Sequence, residues 1–389
     1  MKQFGLTMLI AILFASTAIA AENKLSTEQI RAGWISLFDG ETLFGWQATS
    51  DVDWQVVDGE IRATKGPLGL LATTTQFADY VLHVEYKAGA KSNSGIFLHS
   101  SLNPTDPAKD CYELNIAPKT HTYPTASFVG RQKISSVDPA PDEWHSLDVT
   151  AEGNRLRVSL DGEFVVEYVD PNPLLRGHIA LQLNQGPIAF RNIRLKPLGA
   201  KPIFNGRDLE GWNTDLAEKS HFGVSSAGEL RILNGKGQIE SNGRYGNFIL
   251  QLECFVDGDS LNSGIFFRCI PGDMMMGYES QIHNGMKDDD PTQPADYGTG
   301  GIFRRQNARR IVARDHEWFA KTLIADGPHI AVWVNGYQVS DWTDERKPHE
   351  NPRKGLRLEP GTLAIQGHDP TTDLRFRNLR IVDLPTPQN

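Results

Sequence analysis

The sequence predicts an all-β protein made of two tandem antiparallel sandwiches or jelly rolls. Three observations carry that prediction. From Gly33 onward the apolar residues alternate with period two, and almost no long run has the 3.6-residue spacing of a helix. The chain is turn-rich, with 36 Gly and 22 Pro. And one stretch occurs twice: Asn93-Ser94-Gly95-Ile96-Phe97-Leu98-His99 returns as Asn262-Ser263-Gly264-Ile265-Phe266-Phe267-Arg268.

The N-terminus comes first. Lys2, the apolar run Leu6 to Ala15 and the small residues Ala18-Ile19-Ala20 read as a signal peptide over residues 1–20, so the mature chain is expected to be periplasmic or secreted. The apolar run is too short to span a bilayer. Residues Ala21 to Ala32 hold a short helix, with Ser26 and Gln29 at the spacing of a capping box. The net charge of −9 is spread over both halves without long runs of one sign, which argues against a nucleic-acid partner. Export permits disulfides, but there are three cysteines, and Cys254 and Cys269 would be out of register across a hairpin. We expect three free, buried thiols.

The repeat then sets the domains, 33–199 and 200–387. Leu37-Phe38-Asp39-Gly40 matches Ile203-Phe204-Asn205-Gly206, and Tyr80 to Glu85 matches Phe248 to Glu253. Tyr112-Glu113-Leu114-Asn115-Ile116 matches Tyr278-Glu279-Ser280-Gln281-Ile282. Glu143-Trp144 matches Glu317-Trp318, and Phe190-Arg191-Asn192-Ile193-Arg194 matches Phe376-Arg377-Asn378-Leu379-Arg380. The spacing between partners widens along the chain, so the second copy carries insertions. They fall near Asp288 to Asp296 and between Thr343 and Pro360.

Alternation also nominates a site, because residues i and i+2 of a strand share a face. In the second copy Glu279, Gln281 and His283 share one side, Gln366 and His368 share another strand's outer side, and Arg268 is placed with Phe266 away from the core. In the first copy the same logic groups Glu113 with Asn115, Gln182 with Asn184, His99 with Phe97, and His83 with Glu85. A solvated sandwich face accounts for one such strand; matching polar rows on three strands of both copies point to a site. Trp46, Trp212, Trp144 and Trp318 read as plugs at the sandwich ends, and Arg191 and Arg377 as members of edge ion pairs. Asp288 to Asp290 lack the ligand spacing of a calcium loop and read as a solvated acidic turn. There is no nucleophile elbow, phosphate loop, zinc-protease helix or paired-cysteine zinc motif. The paired-carboxylate strand of retaining glucanases is absent too, which disfavours ordinary two-carboxylate glycoside hydrolysis.

These motifs together resemble the 3-keto-disaccharide hydrolase family, over nearly all of the mature chain and twice. The resemblance implies concanavalin A-like jelly rolls and cleavage of glycosides already oxidised to a ketone at sugar C3. The second copy is closer to the common form, with Arg268, Glu279, Gln281 and Gln366-Gly367-His368; the first has His99 and Asn184 instead, with Tyr123-Pro124-Thr125 and Gly130-Arg131 as in a second version of the family. A C3 ketone acidifies the C2 proton, so the chemistry needs one base near neutral pKa, donors for an enolate oxygen and an acid for the leaving group.

On that footing His283 or His368 is the expected base of the second copy, Glu279 its orienter or an acid, and Arg268, Gln281 and Gln366 the oxyanion donors. In the first copy Glu113 and His99 are the catalytic candidates, with Asn115, Arg131, Gln182 and Asn184 positioning sugar. A divalent metal ion could serve as the electrophile instead of the arginine. The implied partners are a carbohydrate substrate and a separate sugar 3-oxidoreductase that makes the ketone. Two other readings stand beside this one: a non-catalytic tandem carbohydrate-binding protein, and one catalytic copy joined to one binding copy.

Overall fold

The computed structural model describes residues 23–386, so the segment read as a signal peptide lies outside the described residues. The helix covers Thr27–Arg31. Its capping box is formed reciprocally: the Gln29 amide donates to Ser26 Oγ at 3.2 Å and the Ser26 amide to Gln29 Oε1 at 2.9 Å.

Two compact units follow, one built on Ser36–Leu198 and one on Gly199–Leu384. Each is a jelly-roll sandwich of one large and one five-stranded antiparallel sheet, and the strand order is the same in both. The large sheet of the first unit runs Glu163–Val169, Arg155–Leu160, Trp144–Glu152, Tyr80–Ala88, Ile188–Pro197, Glu60–Ala63, Gln55–Val57. Its five-stranded sheet runs Trp46–Ala48, Gly69–Thr73, His178–Leu183, Ser94–Ser100, Tyr112–Ile116. In the second unit the corresponding sheet is Trp212–Asn213, Gly237–Ser241, Thr362–Gly367, Ser263–Cys269, Tyr278–Ile282.

The core lies between the sheets. In the second unit Leu250, Leu252, Leu323 and Val332 of the large sheet join Ile239, Ile265, Phe267, Ile282 and Ile365 of the small one in a single buried cluster. Each inward residue is followed by an outward one, so the small sheet presents a second face made of the alternate residues. Cys111, Cys254 and Cys269 are free and buried, as the sequence reading expects. Cys254 and Cys269 occupy consecutive strands of different sheets, so they are not hairpin neighbours at all.

Several repeated motifs prove architectural. Trp46 and Trp212 are buried, and their indole N–H groups donate to Leu37 O at 2.6 Å and Ile203 O at 2.8 Å. In the Phe-Arg-Asn motif the asparagines take φ of 50° and 54°, a region Asn tolerates, within an irregularity of the long last strand. Asn192 and Arg191 then converge on Glu85, each at 2.7 Å, and Asn378 and Arg377 converge on Glu253. Arg191 stacks on Trp144 at 4.1 Å and Arg377 on Trp318 at 3.9 Å. The His83 and Glu85 pair belongs to this large-sheet network, not to the five-stranded sheet; the hydrogen bond from His83, with those from Asn192 and Arg191, draws the Glu85 carboxyl down to about 2.

Candidate active site

The outward face of each five-stranded sheet carries two rows of side chains fixed by register. In the first unit one row is Leu70, Gln182, Gly95, Asn115 and the next is Ala72, Ala180, Phe97, Glu113. In the second unit the rows are Gln238, Gln366, Gly264, Gln281 and Glu240, Ala364, Phe266, Glu279. The repeated Asn-Ser-Gly turn thus places a glycine beside the glutamate. A Cβ on Gly264 would lie 2.6 Å from Glu279 Oε1, and one on Gly95 would lie 3.3 Å from Glu113 Cγ. Each carboxylate rests in the space that a side chain there would take.

In the first unit this face opens into a cleft of about 570 Å³. Glu113 is 6% exposed and accepts a hydrogen bond from Gln182 Nε2 at 3.2 Å. Burial raises its carboxyl to about 7, against the smaller lowering effect of that amide. Gln182 Oε1 has no hydrogen-bond partner, leaving an acceptor beside the carboxyl. Asn115 donates to Tyr123 O next to the His121 ring, and His121, Asn93 and Asn184 complete the polar end.

The second unit keeps the glutamate but covers it. Glu279 is 6% exposed, and burial again raises its carboxyl to about 7 while Arg353 pulls it down. Arg353 comes from the insertion before Pro360. Its Nη2 lies 3.3 Å from Glu279 Oε2, its Nε donates to Met275 O at 2.8 Å, and its guanidinium sits 5.3 Å from the Phe266 ring and 5.8 Å from Phe303. Met275 packs on Phe266 and Ala364, its amide donating to Gln238 Oε1 at 2.6 Å. The cavity left beside Glu279 is only about 40 Å³.

Five residues nominated from the sequence are placed elsewhere. His99 and Arg268 do not face outward with Phe97 and Phe266. A register shift follows each phenylalanine, and His99 and Arg268 take φ of 47° and 48°, which turns the side chains inward. His99 is buried against Tyr80 and Tyr112 and bonds Leu174 O and Ala78 O; burial holds its imidazole below the ordinary value. Arg268 is fully buried, donating to the carbonyls of Gly246, Gly327 and Arg357 and to Asn247. Arg131 pairs with Asp170 at 2.8 Å, stacks on Tyr112 and bonds Cys111 O, and Tyr112 donates to the same Asp170, so it is a brace behind the sheet rather than a sugar contact. His283 follows its strand and turns Nδ1 to the Gly285 amide. His368 stands exposed past its strand end, bonded to Asp369 at 2.8 Å, close enough to lower the Glu279 carboxyl electrostatically.

Of the remaining nominations, Glu113, Asn115, Gln182 and Asn184 come together in one cleft, and Glu279, Gln281 and Gln366 share the covered face. Gln281 Nε2 donates to Asp296 O and Oδ2, both at 2.9 Å. Sequence reasoning missed His121, Met275 and Arg353, which sit on irregular loops. It also missed Lys321, 2% exposed, whose Nζ donates to Ser280 O and Gln281 O at 2.9 Å under the Glu279 strand. By the Trp144 and Trp318 alignment its counterpart in the first unit is the core residue Leu147. Among the described residues no group of three or more His, Cys, Asp or Glu could hold a metal ion.

Each unit is thus a jelly roll with one buried carboxyl, raised toward neutrality by burial, among amides on its outward sheet. The chain is a member of the 3-keto-alpha-glucoside-1,2-lyase-like domain family and carries that domain twice, at residues 33–196 and 199–382. No curated protein matches it. Among solved structures, a candidate glycosyl hydrolase from Parabacteroides distasonis ATCC 8503 is similar at 20% identity and TM-score 0.42, over 46% of this chain and 99% of that one. A second from the same organism gives 24% identity and 0.38 over 48% and 100%. The Bacillus licheniformis beta-glucanase gives 14% and 0.33 over 43% and 97%.

Proposed function

We propose that the protein is an exported enzyme that cleaves glycosides oxidised to a ketone at sugar C3, and that the first unit does the work. One observation supports this above the rest: Glu113 combines a carboxyl poised near 7 with an open cleft, whereas its twin Glu279 has the same poise beneath Arg353 and Met275. A base whose pKa lies near the working pH is half ionised yet strong enough to take a carbon-bound proton.

The steps are these. Ionised Glu113 removes the C2 proton, and the electron pair moves into a C2–C3 enolate whose charge rests on O3. Amides of Asn115, Gln182 and Asn184 are the available donors for that oxygen. The enolate re-forms the ketone, the C1–C2 double bond forms and the C1–O bond breaks; the departing oxygen takes the proton that Glu113 acquired. Addition of water across the new double bond gives net hydrolysis, and without it the outcome is elimination. The ketone itself must come from a sugar 3-oxidoreductase acting first.

Incubating the full mature chain with a 3-keto-glucoside and its unoxidised parent tests the reading. Release of aglycone from the keto sugar alone, abolished by Glu113→Gln and retained by Glu279→Gln, is the expected result. Loss in Glu279→Gln alone transfers the activity to the second unit, and binding without cleavage by the wild type makes the chain a tandem carbohydrate-binding protein.

A further inference from the structure

The cleft of the first unit has two chemically different ends. Asn115, Glu113 and His121 gather at the Tyr112–Ile116 edge. Toward the Gly69–Thr73 strand the same face becomes apolar: Leu70, Ala72, Phe97 and Ala180 form a hydrophobic cluster with Leu102, separate from the core between the sheets. Leu68 at the rim is 62% exposed. The Gly69–Thr73 and Tyr112–Ile116 strands are three strand spacings apart, about 14 Å, which spans a sugar ring and the group attached to it.

The second unit is an internal comparison. At the positions of Leu70 and Ala72 it has Gln238 and Glu240, so this scaffold carries polar side chains there without difficulty. Apolar residues in the first unit are therefore not demanded by the fold. An apolar cleft floor, buried at Leu70 and Phe97 and open at Leu68 on the rim, that continues a polar, carboxyl-bearing site is suited to an apolar ligand group. A second sugar laid across it would lose water from its hydroxyls against Leu68, Leu70 and Leu102 without regaining hydrogen bonds. Of the polar residues at this end, Thr49 and Thr105 give their hydroxyls to Leu70 O and Asp110 and Ser50 Oγ is buried, so Asn103 is the side chain that can meet a single aglycone hydroxyl.

We propose that the substrates of the first unit are glycosides of an apolar ring, aryl glycosides being the simplest, in place of disaccharides: the 3-keto sugar lies over Glu113 and Asn115, and the aglycone over Leu68, Leu70 and Leu102. This rests on the reading of the first unit as the acting site. Burying roughly 60 Å² of aglycone at about 25 cal/mol per Å² corresponds to about a tenfold gain in affinity over a methyl glycoside.

The test is calorimetric binding to the full chain carrying Glu113→Gln, with unoxidised methyl glucoside, phenyl glucoside and a glucosyl-glucose disaccharide, each in both anomeric forms. Phenyl glucoside is expected to bind about tenfold tighter than methyl glucoside and tighter than the disaccharide. Leu70→Gln, which copies the second unit, and Leu68→Ser, at an exposed position, are each expected to shrink that advantage to about threefold or less. A disaccharide that binds as tightly as phenyl glucoside overturns the proposal, as does an advantage untouched by both substitutions. Because binding is read without turnover, a persisting phenyl preference in a protein that cleaves no keto-glycoside refutes the enzymatic reading and leaves this one standing; cleavage without the preference does the reverse.

Discussion

Replacing Glu113 by Gln is expected to abolish activity and stabilise the fold at the same time. Burial raises the carboxyl from an ordinary 4.5 to about 7. Between those values the unfolded chain has released its proton while the folded chain retains it, so stability falls as pH rises through that window and the loss is complete above about 7. A shift of that size corresponds to about 3 kcal/mol. The substitution keeps the shape and removes the charge, so at pH 8 the variant should unfold at higher denaturant by up to that amount, with the gain vanishing toward pH 4. Activity should move the other way: loss of a general base costs about 10²- to 10⁴-fold, and the kcat/KM of the wild type should climb with pH and level off above about 7. Urea unfolding at pH 4, 6 and 8, beside aglycone release across the same range, measures both. A variant that is less stable at pH 8, or that retains activity within about threefold, refutes the argument that Glu113 is a desolvated base.

Three further outcomes follow from the same structure. Arg131→Ala leaves Asp170 buried beside Tyr112 without its cation and should cost the first unit about 3 kcal/mol in chemical unfolding, while KM for a cleaved glycoside stays within about twofold; a large KM rise at unchanged stability would return Arg131 to the site. Arg353→Ala should uncover the second face, so that calorimetric glycoside binding goes from one site per chain to two, and an unchanged stoichiometry argues against the side chain as the cover. Lys321 is held down at about 7 from an ordinary 10.5 by burial, so its penalty on folding is absent above 10.5 and grows as pH falls toward 7. The wild type should therefore gain stability from pH 7 to 10 relative to Lys321→Leu, which scanning calorimetry of the two proteins resolves.

Strand alternation was enough to find Glu113, Asn115 and Gln182, and equally Glu279, Gln281 and Gln366, because those residues sit where pairing is regular and parity holds. It failed one turn of the pleat past Phe97 and Phe266. An extra residue in the Ser94–Ser100 and Ser263–Cys269 strands sends His99 and Arg268 to the opposite side, and no residue type there announces the irregularity. Arg131 misled for another reason: its partner Asp170 lies far along the chain, so its ion pair has no local signature. The largest omission was the difference between the units. Arg353 and Met275 belong to loops without a period, and whether such a loop lies across a face or away from it is decided by tertiary contacts.

Gly95 and Gly264 bear on any attempt to redesign this protein. A carboxylate that lies on top of a residue without a side chain has a seat defined by vacancy, and no substitution can improve a vacancy. Engineering for new substrates must therefore leave the floor beneath Glu113 alone and work at the margins, where Leu68, Leu102 and His121 can be exchanged without unseating the acid.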